Sequence, residues 1–460
     1  MSTADRWLLP LAVLIELIAI GFSSTQLGAI AGVLFIFCFL WAGRRLQSYS
    51  RILLLVSLAV TAWFLGRGQL GMDKLIKASS DAAFYAAFLG SLGMMQCLVR
   101  RFEVLRRIHD VLLGGRAVWL YPKYAMVSCG IASVLSFGMM SLLCGSLSET
   151  LRERGITGES RLQWLRSVLI SALRGFALVP LVAPTSVAVA ILTRELPELT
   201  WLMLLPYGLA AAVVLIGVGW FLEQRRFRQV SSERVALEQW PSGTLQLLGL
   251  VLIVFVTMAV IVALTDFKVS VAAMMAVPSV TLLYMVWQER SLGVVVKESV
   301  TQVSAMNNEM AIFAASAILG VSVSSVIPAD ALSGLATSAG GMWVLAVVGM
   351  LSLPLLSTIG IIPITVLSVQ AGLLPQLIAE GMDPILISVA LVIGFSLAMM
   401  LSPFGPSVML LSRFGQVPRW VVAFRWNGVF VLIAVPLLLA LLALEILVLP
   451  EFVVLEFIND

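Results

Sequence analysis

Two clusters of proline and hydroxyl residues interrupt otherwise apolar stretches. They are Pro184, Thr185 and Ser186 in VAPTSV (Val182 to Val187), and Ser402, Pro403, Gly405, Pro406 and Ser407 in SPFGPSV (Ser402 to Val408). Proline removes a backbone donor and stops the helical ladder. A helix broken there presents free N–H groups at the start of its second half and free C=O groups at the end of its first. The former suit an anionic solute, the latter a cation such as sodium. The hydroxyls add ligands, and Gly405 lets backbone approach closely. The chemistry on offer is reversible coordination of a solute and an ion, with no bond broken.

The clusters are copies of one another. RGFALVPLVAPTSVAVAILTR, from Arg174 to Arg194, aligns without a gap to IGFSLAMMLSPFGPSVMLLSR, from Ile393 to Arg413. Gly175, Phe176, Leu178, Pro184, Val189, Leu192 and Arg194 match Gly394, Phe395, Leu397, Pro403, Val408, Leu411 and Arg413, which marks an internal repeat. One proline-rich stretch could be a kink in a packed helix. Two, at equivalent places in membrane-length segments, point to a transport site, because lipid satisfies no freed backbone group.

The elements that position these breaks follow from composition. The chain of 460 residues is 60% hydrophobic and 12% charged, with mean hydropathy +1.04, which places it among all-α polytopic membrane proteins. The first span carries no cleavage signature and reads as uncleaved. Cys38, Cys97, Cys129 and Cys144 lie in apolar stretches and read as buried packing residues. The single histidine, His109, excludes a histidine-ligated metal centre, and no cofactor is implied beyond a coupling ion, Na+ or H+. The sequence pI near 9.0 reports loop charge that sets topology, not nucleic-acid binding. No Walker-type loop is present, which argues against an ATP-driven pump in this chain alone.

An N-terminal span occupies 1–26. Residues 27–228 form a first repeat, with further apolar segments near 27–43, 52–66 and 79–99, a segment at 124–150, a broken helix at 167–193 and a span at 201–222. The loop RRFEVLRRIHDVLLGG after the fourth span reads as an amphipathic surface helix. Basic residues flank both ends of 124–150, so that segment starts and ends on one side, as a re-entrant hairpin does. Its tip is SFGMMS, with Ser136, Gly138 and Ser141. A linker at 229–243 leads to a second repeat at 244–448. This repeat has spans near 244–265, 269–288 and 303–326, a second hairpin at 342–371 and a broken helix at 384–412. A last span at 428–448 precedes a tail at 449–460. The second tip, LSTIG, carries Ser357, Thr358 and Gly360. The pattern amounts to about 11 transmembrane helices plus two hairpins.

With the N-terminus cytoplasmic, Arg67, Lys74, Lys77, Arg194 and Lys268 fall outside, Arg174 falls within the membrane, and the remaining Lys and Arg of the 29 fall inside. That asymmetry fits a multi-pass protein of the cytoplasmic (inner) membrane with an external C-terminus. The odd number of crossings makes the two repeats inverted.

This order of elements resembles the ion transporter superfamily, and within it the divalent anion/sodium symporter family. The architectural likeness covers nearly the whole chain. The motif likeness is partial: Ser357–Thr358 and the Pro, Ser, Thr and Gly content of the breaks agree, while the family's Ser-Asn-Thr asparagines are absent. The resemblance implies an elevator-type secondary transporter, usually a homodimer, with hairpins and broken helices moving against a scaffold of spans two to four and seven to nine.

Three charged residues fall in or beside apolar segments. Arg174 precedes Pro184 by ten residues and reads as a side chain snorkelling to the cytoplasmic interface. Asp81 and Glu309, at matching repeat positions near span entries, have the chemistry to couple protons, but their polar neighbours Ser79–Ser80 and Asn307–Asn308 favour placement at the interface. No intramembrane carboxylate lies inside either hairpin or break, which tilts the coupling ion slightly towards sodium. The expected function is secondary active transport of a small organic anion or similar polar solute, not enzymatic catalysis. A lipid or polysaccharide flippase, or a membrane-embedded glycan-processing enzyme, is the alternative.

Overall fold

The computed structural model describes residues 3–99, 101–102, 112, 116–135, 138–153, 155, 158–230, 244–328 and 333–459. Among them every regular element is helical. The helices are α1 (Thr3–Gly21), α2 (Thr25–Trp41), α3 (Ser48–Gly66), α4 (Met72–Gly93), α5 (Leu120–Leu135), α6 (Gly138–Glu153), α7 (Gly158–Ala177), α8 (Val187–Glu195) and α9 (Trp201–Val230). The series continues with α10 (Thr244–Leu264), α11 (Val269–Glu289), α12 (Leu292–Ala305), α13 (Asn307–Ser324), α14 (Ala339–Thr358), α15 (Pro363–Ala379), α16 (Pro384–Leu401), α17 (Pro406–Gly415) and α18 (Gly428–Asn459). Nine helical segments among the described residues are long and apolar enough to cross a membrane, and a bent pair makes a tenth. Two of the nine contain the first arms of the hairpins, α5 and α14, and α1 and α2 are apolar but shorter.

Hydropathy alone does not order these helices from centre to rim; burial does. The apolar 18-residue cores of Arg161–Glu195 and Pro384–Gly415 are 89% and 83% buried, whereas that of Leu245–Leu264, the most apolar of all, is 17% buried. A helix that is apolar all round and exposed has lipid as its partner. The broken helices therefore form the axis of the molecule and α10 lies on its rim.

The helix pairs α5–α6 and α14–α15, at the positions expected for the hairpins, flank that axis. Arm α5 packs on α7, and arm α14 packs on α16. Helix packing this close depends on one matched residue. A Cβ at Gly175 would overlap the carbonyl oxygen of Ala125, and one at Gly394 would overlap that of Met350. Both glycines belong to the repeated stretch, and each lets its broken helix lie against the first arm of its hairpin. The second arms cross over: α8 packs on α15 and α17 packs on α6. The two broken helices also touch directly, Ser396 Oγ donating to Ala177 O at 2.5 Å across a separation of 219 residues.

Helices α4 and α13 pack together on the side of α2 and α3, with Thr61 and Ser322 hydroxyls 2.7 Å apart. Tracing the antiparallel helices gives two ends. Gln47, Asn308 and the Arg101 cluster lie at one, called the near face; Arg194, Leu196 and Lys268 lie at the other, the far face. At the near face Arg101 binds Glu298 and Glu289, each at 2.7 Å, and these carboxylates, Glu298 first, hold its guanidinium firmly protonated.

Several sequence expectations need adjustment. The segment before α13 is a separate helix, α12, set at 53° to it. It carries Lys297 and Glu298 beside exposed Leu292, Val294 and Val296, an amphipathic pattern with too many polar residues for a span. The hairpin arms extend beyond 124–150 and 342–371, and a π-helical turn at Val421–Trp426 precedes α18. The amphipathic loop after the fourth span falls largely outside the described residues.

Candidate functional site

Each break follows from its own residues. The short turn Val179–Val182 ends at Ala183 in extended conformation, Pro184 cannot continue the ladder, and Ser186 opens α8. In the second copy α16 ends at extended Ser402, and α17 starts after Gly405 with Pro406 as its first residue, where a missing N–H costs nothing. Ser186 makes no side-chain cap and Gly405 has no side chain to make one, so neither N-cap residue engages the first N–H groups of α8 and α17.

Both breaks open onto one cavity of about 80 Å³. Thr185, Ser186 and Val187 line it from the first break, and Gly405, Pro406 and Ser407 from the second. Ser186 is 2% exposed and its Oγ has no hydrogen-bond partner. The remaining wall is largely apolar, with Phe176, Phe313, Phe395 and Met399. Thr185 Oγ1 donates to Ser133 O of α5, tying the first break to the first hairpin. Ser402 Oγ donates to Ser357 O at 3.3 Å, tying the second break to the second hairpin.

The sequence-derived site residues divide accordingly. Thr185, Ser186, Gly405, Pro406 and Ser407 line the cavity; Pro184, Ser402 and Pro403 shape the breaks without lining it. Ser357 and Thr358 hydroxyls turn back to Leu353 O and Leu355 O of their own helix. Gly360, at φ 111°, makes the reversal, and the cavity wall comes from Ile362, Pro363 and Ile364 just beyond. Pro363, the first residue of α15, was the readable signal for where the second arm begins. Ser136 lies outside the described residues. Gly138 and Ser141 fall in α6, and their side chains also lie outside.

Three charged residues differ from expectation. Arg174 does not snorkel: it is 3% exposed, with Nη1 3.3 Å from Glu223 Oε1, Nε 3.1 Å from Asn427 Oδ1 and Nη2 3.1 Å from Trp426 O. The Phe430 ring lies 4.1 Å from its guanidinium. Asp81, 2% exposed, is buried in an ion pair with Arg194. Glu309 was missed as a site residue because it sits on α13, outside every hairpin and break. Its side chain lines the cavity, and its Oε2 is buried without a hydrogen-bond partner. Its polar neighbours Asn307 and Asn308 masked that position in the sequence.

No family model matches the chain, and no curated protein sequence matches it. Among solved structures the chain is similar to the crystal structure of the Alcanivorax borkumensis YdaH transporter, which has an unusual topology. The identity is 13% and the TM-score 0.55, over 92% of this chain and 98% of that one. At that identity the likeness is one of fold.

Proposed function

We propose that the protein is a secondary active transporter that moves a small organic anion or similar polar solute across the cytoplasmic membrane, coupled to Na+ or H+. One observation carries the reading: two helix breaks far apart in sequence supply uncapped helix N-termini and a partnerless buried hydroxyl to the same cavity. Helix N-termini favour negative charge, and half-helices meeting at mid-membrane are how transporters bind solutes without buried cations. The fold shared with a solved transporter supports the same class. The reading includes an inverted-repeat, elevator-type mechanism of the ion transporter superfamily, acting as a homodimer.

The test is uptake into proteoliposomes with a panel of carboxylates, with and without sodium and proton gradients. Thr185→Trp and Ser407→Trp fill the cavity from opposite breaks. Each should abolish uptake while the protein remains folded in the membrane; retained uptake in both would refute the site.

A further inference from the structure

A second and larger cavity, about 320 Å³, opens at the far face where α1, α2, α4, α8 and the start of α11 converge. Helix α1 is apolar around it except for Glu16, which is 1% exposed and whose Oε2 has no hydrogen-bond partner. Gly28 of α2 makes room for it: a Cβ there would stand 2.7 Å from Ser80 Oγ and 3.3 Å from Glu16 Oε2. Across the cavity, Arg194 in the last turn of α8 donates from Nε to Asp81 Oδ1 at 2.9 Å and from Nη2 to Ser80 Oγ at 3.0 Å. Lys77 binds Glu195 Oε2 at 2.5 Å and lies 3.7 Å from Asp81 Oδ2.

The charges around Glu16 leave one carboxylate over. Glu16, Asp81 and Glu195 face Arg194 and Lys77, with the buried phenol of Tyr85 beside them on α4. Asp266 and Lys268 also line the cavity and cancel in the charge count, and Lys268 Nζ is held by the carbonyls of Thr193 and Leu196 at 2.7 and 2.9 Å. Helix α12 also packs on α1; its Glu298 is engaged by Arg101 at the near face, and Lys297 is exposed. A partnerless ionised carboxylate buried in a membrane protein is a strongly disfavoured group. A metal cation fits poorly here. Ser80 Oγ, the hydroxyl beside Gly28 and Glu16, already accepts from the Arg194 guanidinium, whose charge would repel it. A proton needs only the carboxylate.

We propose that Glu16 is a proton-binding site open to the far face, and that its occupancy sets how firmly Arg194 holds Asp81. The proton passes from hydronium in the cavity to the Glu16 carboxylate, leaving water and a neutral acid. With Glu16 neutral, the Arg194 charge is directed wholly to Asp81; with Glu16 ionised, it is shared between the two. Helix α8 runs from Arg194 straight back to Ser186, so the site bears on the central cavity. That last link rests on the transport reading; the proton site does not.

The decisive measurement is infrared titration of the carboxylic-acid C=O stretch in the purified full-length protein, as wild type minus Glu16→Gln. The difference should contain a protonated acid band that vanishes as pH rises. Glu16→Asp should keep the band with a displaced midpoint. An empty difference spectrum, or an unmoved midpoint in Glu16→Asp, would overturn the site. A midpoint that moves when sodium replaces choline at constant ionic strength would overturn it too, in favour of a metal cation. None of these readouts needs transport, so failed uptake leaves them standing. In proteoliposomes that do transport, Glu16→Gln should respond at least tenfold less to a pH gradient, and an unchanged response would overturn the link to the central cavity.

Discussion

Single buried charges decide more here than their number suggests. Arg174 is held by Glu223, Asn427 and a backbone carbonyl, and Glu223 is also held by Arg226 at 3.1 Å. Removing the arginine alone leaves an incompletely neutralised carboxylate that is 1% exposed, and such groups dominate the cost of breaking buried pairs. Arg174→Met and Glu223→Gln should therefore be strongly coupled. A double-mutant cycle on unfolding free energy is expected to give about 1–3 kcal/mol, and additivity would show the pair to be incidental. Glu309 poses the opposite case, since its Oε2 at the cavity wall has no hydrogen-bond partner among the described residues. A carboxylate there opposes an anionic solute. At a pH high enough to ionise Glu309, Glu309→Gln should lower KM for a transported anion by about tenfold, the order expected from one charge at several ångströms in a medium of intermediate polarity. At lower pH, where the carboxyl is neutral, the two proteins should converge. An unchanged KM would mean that Glu309 does not sense the solute.

At the scale of elements, the repeated glycines show what the chain pattern could and could not convey. Gly175 and Gly394 were visible as matched letters, but their reason is contact: each removes a Cβ that would collide with a carbonyl of the neighbouring hairpin arm. Gly175→Ala and Gly394→Ala should each destabilise the protein by about 1–3 kcal/mol through forced separation of the packed helices, read as a lower unfolding midpoint in detergent. Tolerance of both would refute close packing as the reason for the repeat. The breaks and hairpins were legible because proline, glycine and charge placement are local signals that act within a few residues. Helix α12 was not, because its apolar and polar residues blend into the following span, and only the 53° bend separates them. Glu309 and Glu16 were missed for a related reason. A cavity is made by elements distant in sequence, so Glu16 on α1 and Arg194 at the end of α8 meet only after folding.

At the scale of the molecule, the second hairpin gives the most direct test of how the chain is arranged across a membrane. Its arms begin and end at the far face, since α15 runs alongside α13 with Thr365 beside Ser316 and Gly372 beside Ser324. Its tip reaches the opposite end, where Ile362 N–H donates to Tyr49 OH, in the first turn of α3, at 3.2 Å. Ile359, next to that contact, is 73% exposed. Because the tip sits beside the first turn of α3, a cysteine at position 359 should react with a membrane-impermeant thiol reagent from the side that bears the loop between α2 and α3, and not from the other. The four native cysteines are buried, so their background labelling is low. Tyr49→Phe removes the hydroxyl that anchors the tip. If the hairpin alternates between faces, that variant should lower labelling from the near side and raise it from the far side. Labelling of residue 359 from the far side alone in the unaltered background would invert the hairpin and with it the order of every span around it.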